Sequence, residues 1–232
     1  MLRPSVFMIP KSHSGTPGQL FRYGEQARQK SRFAEALRFY ERARTAYNAN
    51  SDVAGERDSL LGTGDCQRMQ GRFAQAKQAY TRAVRLSTDL DDDEGLAESL
   101  AGVGLSLRAQ GNPERGLPYL ACARTLYRQA KAVTGEAFIL WAMGSTYRFC
   151  GDLRKAIAYF RRALAFAEMH HDEPGIGYAL CGLGGASRLM GRFNDTQRYY
   201  QRANELFERK RDLFGCVEGT SSNFAQPGIP SR

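Results

Sequence analysis

One pattern returns along this chain every forty residues, and it constrains the fold more than any other feature of the sequence. In the stretch 144–163, GSTYRFCGDLRKAIAYFRRA, Gly144 has counterparts in Gly24, Gly64, Gly104 and Gly184, and Ala163 in Ala43, Ala83, Ala123 and Ala203. Four further columns keep the register: Leu20, Leu60, Leu100, Leu140 and Leu180; Arg28, Arg68, Arg108, Arg148 and Arg188; the glycines Gly71, Gly111, Gly151 and Gly191; and a last series running from Gly15 by forties to Gly215. A fixed period of this length means stacked supersecondary units, each burying its apolar face against the next. The 232 residues therefore form one quasi-linear array with a core along its length, and no separate globular domain fits.

The unit reads as a helical hairpin. Between Gly135 and Cys150 the apolar residues Phe138, Trp141 and Tyr147 fall at helical spacing, and Gly151 stands where a left-handed residue closes a helix. A second helix follows, with Asp152 as N-cap and Ala156, Phe160, Ala163 and Leu164 on one face. Gly144 and Ala156 are both small, which predicts a close approach of their two helices. A bulky side chain at that crossing would overpack it by about 1–3 kcal/mol. The expected fold class is all-α.

The order Leu140, Gly144, Tyr147, Ala156, Phe160, Ala163 resembles the tetratricopeptide repeat in its forty-residue variant, similar to units of Pins-type spindle-orientation scaffolds and of sensor arrays in bacterial signal-transduction ATPases. The resemblance covers residues 12–215 and implies a right-handed α-solenoid of five repeats that serves as a platform for binding protein segments. Residues 1–11 are then an N-terminal extension and 216–232 a tail, in which a sixth repeat derails because Thr220, Phe224 and Gly228 replace the leucine, glycine and arginine columns. Departures from the family pattern are Ser31 at the turn glycine, Gly116 and Thr196 at the alanine of the second helix, and Trp141 one residue past the usual tryptophan.

Charge and cysteine usage narrow the partners. Thirty-three basic against twenty-four acidic residues give +9, which favours acidic partners or polyanions. Cys66, Cys122, Cys150, Cys181 and Cys216 are odd in number and lack CxxC spacing, so they read as reduced residues, several on buried faces. The apolar run in MLRPSVFMIPK is too short for a signal peptide or a membrane span, and a cytoplasmic protein without a transmembrane segment is expected.

Local chemistry adds further expectations. Ser12 or Ser14 is positioned to cap the first helix, with Pro17 in its first turn. In the third repeat Asn112 and Pro113 start the second helix well, but Gly116 and Pro118 predict a loose or kinked first turn, either an irregularity or a hinge. Asp52, Asp92, Asp172 and Asp212 recur three residues before the glycine that follows and suit N-caps, whereas the run Asp91–Glu94 lacks the spaced oxygens of a calcium loop. The cluster His170, His171, Asp172, Glu173 reads as a solvated loop, and no metal or cofactor is expected. The glycines of CGLGGAS, 181–187, lie inside a helix and follow no strand, so they do not make a phosphate loop. No catalytic constellation emerges, and the chain is not expected to be an enzyme.

The first helices should line the concave surface, with the arginine column on its stripe. Glu25 precedes Arg28 and Asp65 precedes Arg68 by three residues, a spacing that pairs them on their own helix. Arg108, Arg148 and Arg188 have Leu105, Ser145 and Gly185 at that place, and the aromatic residues Phe138, Trp141, Phe149 and Tyr178 nearby. These seven residues, Arg108, Arg148, Arg188, Phe138, Trp141, Phe149 and Tyr178, are the expected partner-binding site. Its ligand is expected to be a short acidic and apolar segment of a protein. Two alternatives stand beside it: an arginine column that packs between repeats and pairs with their acids, and a convex basic ridge of Arg42, Arg82, Arg162 and Arg202, with Arg38, Arg161 and Arg198, that would bind nucleic acid or an anionic membrane. The second helix of the last repeat, with Tyr199, Tyr200, Leu206 and Phe207, has no polar cap in the sequence and is a candidate surface for self-association.

Overall fold

The structure is a computed structural model that describes residues 15–210. It consists of α1 (Pro17–Gln29), α2 (Phe33–Ala49), α3 (Val53–Met69), α4 (Phe73–Asp89), α5 (Asp93–Ala109), α6 (Pro113–Gln129), α7 (Val133–Phe149), α8 (Leu153–Met169), α9 (Glu173–Leu189) and α10 (Phe193–Lys210), with no strand among the described residues. Each helix packs on the next, forming the right-handed solenoid of five hairpins that the period predicts. The odd-numbered helices also touch one another along the series α1, α3, α5, α7, α9, while among the described residues no even-numbered helix touches another. A stack curves toward the side on which its elements lie closer, so the odd helices form the inner face.

Caps and turns set the register. Asp52, Asp92 and Asp172 accept the backbone N–H of Gly55, Gly95 and Gly175 at 2.8, 3.0 and 3.1 Å, and Asp152 accepts that of Lys155 at 3.0 Å. The acidic run at 91–94 is thus a cap followed by first-turn acids at the positive end of a helix dipole. Asp212 lies outside the described residues, as do Ser12 and Ser14. The cap of α1 is instead Thr16, which forms a reciprocal box with Gln19 and leaves α1 one turn shorter than the other first helices. Gly151 closes α7 with φ +79°, and Ser31 takes the same left-handed conformation with φ +57°. Ser51, Asp91, Lys131 and His171 repeat it between hairpins, a second left-handed position that carries no glycine and so leaves no mark in the sequence.

The small-residue column has a second partner besides the one expected. A Cβ on Gly144 would lie 2.8 Å from the ring of Phe160, and one on Gly64 2.7 Å from that of Tyr80. Gly144 is small to seat the aromatic residue of the second helix, and the close approach expected between its column and that of Ala156 is seen where Gly104 meets Gly116. The loose turn expected in the third repeat is absent, since α6 runs unbroken from Pro113 to Gln129. Gly116 is instead a contact residue, because a Cβ there would stand 2.5 Å from the carbonyl oxygen of Gly104 on α5. Backbone meets backbone at this crossing, and that close packing offsets the helix propensity lost at Gly116 and Pro118. Asn112 does not cap α6; its amide donates to the carbonyl of Gln110 at 3.2 Å.

The cysteines divide. Cys66 is a buried free thiol whose pKa burial, and then Asp65, push up to about 12, Cys150 is half-buried, and Cys122 is exposed. Cys181 is buried and disulfide-bonded, which corrects the expectation of reduced thiols throughout. Helical spacing places a residue on a buried face but does not distinguish a thiol there from a half-cystine.

Candidate functional site

The arginine column forms a ladder on the inner face. Arg108 feels the charges of Arg68 on α3 and Arg148 on α7, and Arg148 that of Arg188 on α9. Its rungs differ. Glu25 holds Arg28 at 2.7 Å and accepts a hydrogen bond from the hydroxyl of Tyr40 on α2. Asp65 stands 3.7 Å from Arg68 and accepts the hydroxyl of Tyr80 on α4 at 2.7 Å. Burial alone would lower the pKa of Arg28, but Glu25 outweighs it and holds the guanidinium above its ordinary range. The first two rungs are thus closed networks of tyrosine, carboxylate and arginine, as the i,i+3 acids predicted for their helical half.

At the third rung both partners are gone. Leu105 replaces the acid, Leu120 replaces the tyrosine, and Arg108 is 2% exposed with none of its three guanidinium nitrogens hydrogen-bonded. Desolvation, followed by Arg68 and Arg148, lowers its pKa to about 9, so it remains a cation at neutral pH. An uncompensated buried charge of this kind costs several kcal/mol. Its nearest support is the ring of Phe149, whose centroid lies 5.3 Å from Arg108 and 5.4 Å from Arg148. Two guanidiniums thus share one half-exposed ring, a contribution of about 0.5–2 kcal/mol each. Arg148 is half-buried, with its Nε unpartnered and its pKa lowered by burial. Arg188 is exposed at the end of the ladder.

The aromatic residues fall in a second place. Phe138 and Trp141 of α7 pack with ring centroids 6.2 Å apart and, with Tyr178 and Gly175 of α9 and Ala163 and Ala167 of α8, line a cavity of about 230 Å³. The seven expected site residues therefore separate into an arginine–Phe149 cluster at the C-terminal ends of α5, α7 and α9 and an aromatic-walled cavity toward the N-terminal ends of α7 and α9. Ala167 went unnoticed in the sequence, although its column, Tyr47, Ser87, Tyr127, Ala167 and Phe207, marks it as small.

The outer face is more nearly balanced. Arg82 pairs with Glu56 at 3.4 Å, Arg202 with Glu168 at 2.6 Å and Arg198 with Asp195 at 2.9 Å, while Arg162 lies over Tyr159 at 5.4 Å. Among the described residues no three potential metal ligands converge, and no helix is long and apolar enough to cross a membrane. His170 packs on the ring of Phe166 at 4.5 Å.

A family profile described as tetratricopeptide repeat matches residues 19–89 and 95–169. The chain belongs to the tetratricopeptide repeat family. No curated protein matches it. Among solved structures, this tetratricopeptide repeat array resembles a Rap protein complexed with competence and sporulation factor (TM-score 0.79, 16% identity, 86% of this chain and 56% of that one). It also resembles the Rap conjugation gene regulator of plasmid pLS20 in complex with the Phr* peptide (TM-score 0.74, 18% identity, 90% and 60%). A third is the signal-transduction ATPase of Pyrococcus horikoshii with a tetratricopeptide repeat sensor (TM-score 0.71, 14% identity, 84% and 31%). The chain spans less than two thirds of each, and at these identities the likeness is one of fold. Membership of the tetratricopeptide repeat family points to a protein-interaction module.

Proposed function

We propose that the array holds a short acidic segment of a partner protein, carrying an apolar anchor, on the inner face of its third to fifth repeats. The observation that carries this reading is Arg108, a buried cation whose desolvation is already complete in the free protein and whose hydrogen-bonding atoms are all unspent. A carboxylate that reaches it by displacing the exposed ring of Phe149 gains charge-assisted hydrogen bonds without desolvating the arginine again. The Rap regulator of similar fold was solved with a peptide, which supports a peptide-sized occupant for such a surface. The convex basic ridge is the weaker reading, because acids of the chain itself pair with three of its arginines.

Selection of a displayed random-peptide library on the purified chain tests the proposal, with enrichment of Asp and Glu expected. Replacing Arg148 and Arg188 by Glu should then weaken the selected peptide by several kcal/mol, a loss of about a hundredfold or more in Kd. Replacing Arg162 and Arg202 by Glu makes the same change in net charge on the outer face and should leave Kd within a few-fold. The opposite pattern, with binding to single-stranded DNA that collapses as salt rises, would put the ridge in place of the groove.

A further inference from the structure

The cavity between α7, α8 and α9 is open because of a single column of the repeat. Tyr47 closes the equivalent site between the first two repeats, its ring lying where a side chain on Gly55 would go, and Tyr127 does the same against Gly135 between the third and fourth. Between the second and third repeats the column holds Ser87, and the guanidinium of Arg57 enters in its stead, against Gly95 and paired with Asp58 and Asp92. Three junctions are thus filled from within the chain. At the fourth, Ala167 faces Gly175 and no ring or guanidinium of the described chain takes the place; only the carboxylate of Asp172, which caps α9, stands against the glycine, and about 230 Å³ stays open between aromatic walls.

We infer that this cavity seats an aromatic side chain supplied by the bound acidic segment, in the position that Tyr47 and Tyr127 occupy at the sister junctions. The class of occupant follows from what the same backbone already accepts there: a planar ring laid against a linker glycine, with Phe138, Trp141 and Tyr178 around it. The requirement for an acidic segment follows from charge complementarity, since Arg108, 2% exposed and unpartnered, and Arg148 stand on the same inner face. Trp141 and Arg148 are seven residues apart on α7, and Phe138 and Phe149 eleven, about 10–16 Å of helix. An extended peptide covers that distance in about three to five residues. The ligand therefore carries an aromatic residue three to five positions from a carboxylate. This inference rests on the groove reading above, deepens it, and can fail separately from it.

Trp141 is the only tryptophan of the chain and lines the cavity, so its emission reports occupancy directly. The probes are three synthetic peptides in an Ala/Ser background: one with Phe and Glu four residues apart, one with Ala for the Phe, and one with Gln for the Glu. The Phe–Glu peptide should shift Trp141 emission and bind about tenfold or more tighter than the Ala version, in keeping with burial of one phenyl ring. Ala167→Tyr should remove that advantage, so that both peptides bind alike, while the melting temperature stays level or rises by about 2–4 °C because the cavity is filled. Should the tyrosine variant not fold, Ala167→Leu fills part of the same space with the same expected readout. Equal binding of the Phe and Ala peptides to the wild type, or an aromatic advantage that survives in folded Ala167→Tyr, overturns the inference. So does unchanged Trp141 emission with all three peptides at about 1 mM, a bound of roughly 4 kcal/mol. If Glu and Arg148 matter but the aromatic residue does not, the groove stands and the cavity falls. If the aromatic residue matters and neither charge does, the cavity stands and the acidic reading falls.

Discussion

In the first two repeats the column arginine ends in a closed network, with Glu25 or Asp65 beside it and the hydroxyl of Tyr40 or Tyr80 on the same carboxylate. In the third the identical column position carries Arg108, as deeply buried as Arg68, with Leu105 and Leu120 in the acid and tyrosine columns and no hydrogen bond at all. The two regions share backbone, register and helix packing, so the difference lies in side chains on two neighbouring columns that change together. In the third and fourth repeats the acid and the tyrosine hydroxyl go together, to Leu105 with Leu120 and Ser145 with Phe160, while the fifth keeps Tyr200 opposite Gly185. Packing follows the same exchange: Tyr80 sits between Gly64 and Gly102, whereas the smaller Leu120 lies against Gly104 in a cluster that has Ala142 at the Gly102 column. One half of the inner face has used its charges internally, and the other keeps them available.

The comparison predicts that one substitution has opposite effects in the two halves. Arg68→Leu strands Asp65 in a buried site and should cost about 3–5 kcal/mol, whereas Arg108→Leu removes an uncompensated buried charge and should be neutral or stabilising by about 1–4 kcal/mol. Urea unfolding of both variants measures the two signs, and a loss at both positions would dissolve the distinction. Peptide binding should run the other way, with Arg108→Leu weakening it despite the stability gained.

A smaller effect should follow from copying the closed network into the third repeat. Leu105→Asp, Leu120→Tyr and Ala142→Gly together supply the acid, the hydroxyl and the room that Tyr80 has against Gly102. With Arg108 satisfied internally, affinity for an acidic peptide should fall by about tenfold, the equivalent of one charge-assisted contact. Isothermal titration of the folded triple variant checks this, and unchanged affinity would mean that Arg108 does not meet the ligand.

The smallest effect is a divergence with pH. Arg108 has a folded pKa lowered to about 9, well below its ordinary range, so from there upward the unfolded state binds more protons and stability rises with pH. Tyr80 has its pKa raised above 10, by burial first and then by Asp65, so its contribution is present below pH 10 and is lost above it. The advantage of Arg108→Leu over wild type should therefore shrink by about 1 kcal/mol from pH 8 to pH 10, while the advantage of wild type over Tyr80→Phe begins to fall only above pH 10. Thermal unfolding of the three proteins across that range checks the order, and parallel curves would remove the electrostatic account.

Most of the fold could be read from the chain because its determinants are local. Helix spacing, the Asp caps and turns such as that at Gly151 act within a few residues, and the period of forty extends each observation to five places. The loose turn expected at Gly116 failed for the complementary reason: its cause is the carbonyl of Gly104 on another helix, a partner that propensity does not see. The second left-handed turn position was missed because four different residue types occupy it.

The candidate site divides along the same line. The sequence by itself determined that Arg108 and Arg148 lack the i,i+3 acid that Arg28 and Arg68 possess, since that is a question of spacing along one helix. Only the tertiary structure decided that Arg108 is buried, that Phe149 lies against two arginines from neighbouring repeats, and that the small Ala167 leaves open the space filled elsewhere by Tyr47, Tyr127 or Arg57. Each of these depends on side chains from helices of different repeats converging on one volume, and burial and unfilled space are properties of that convergence rather than of any one segment.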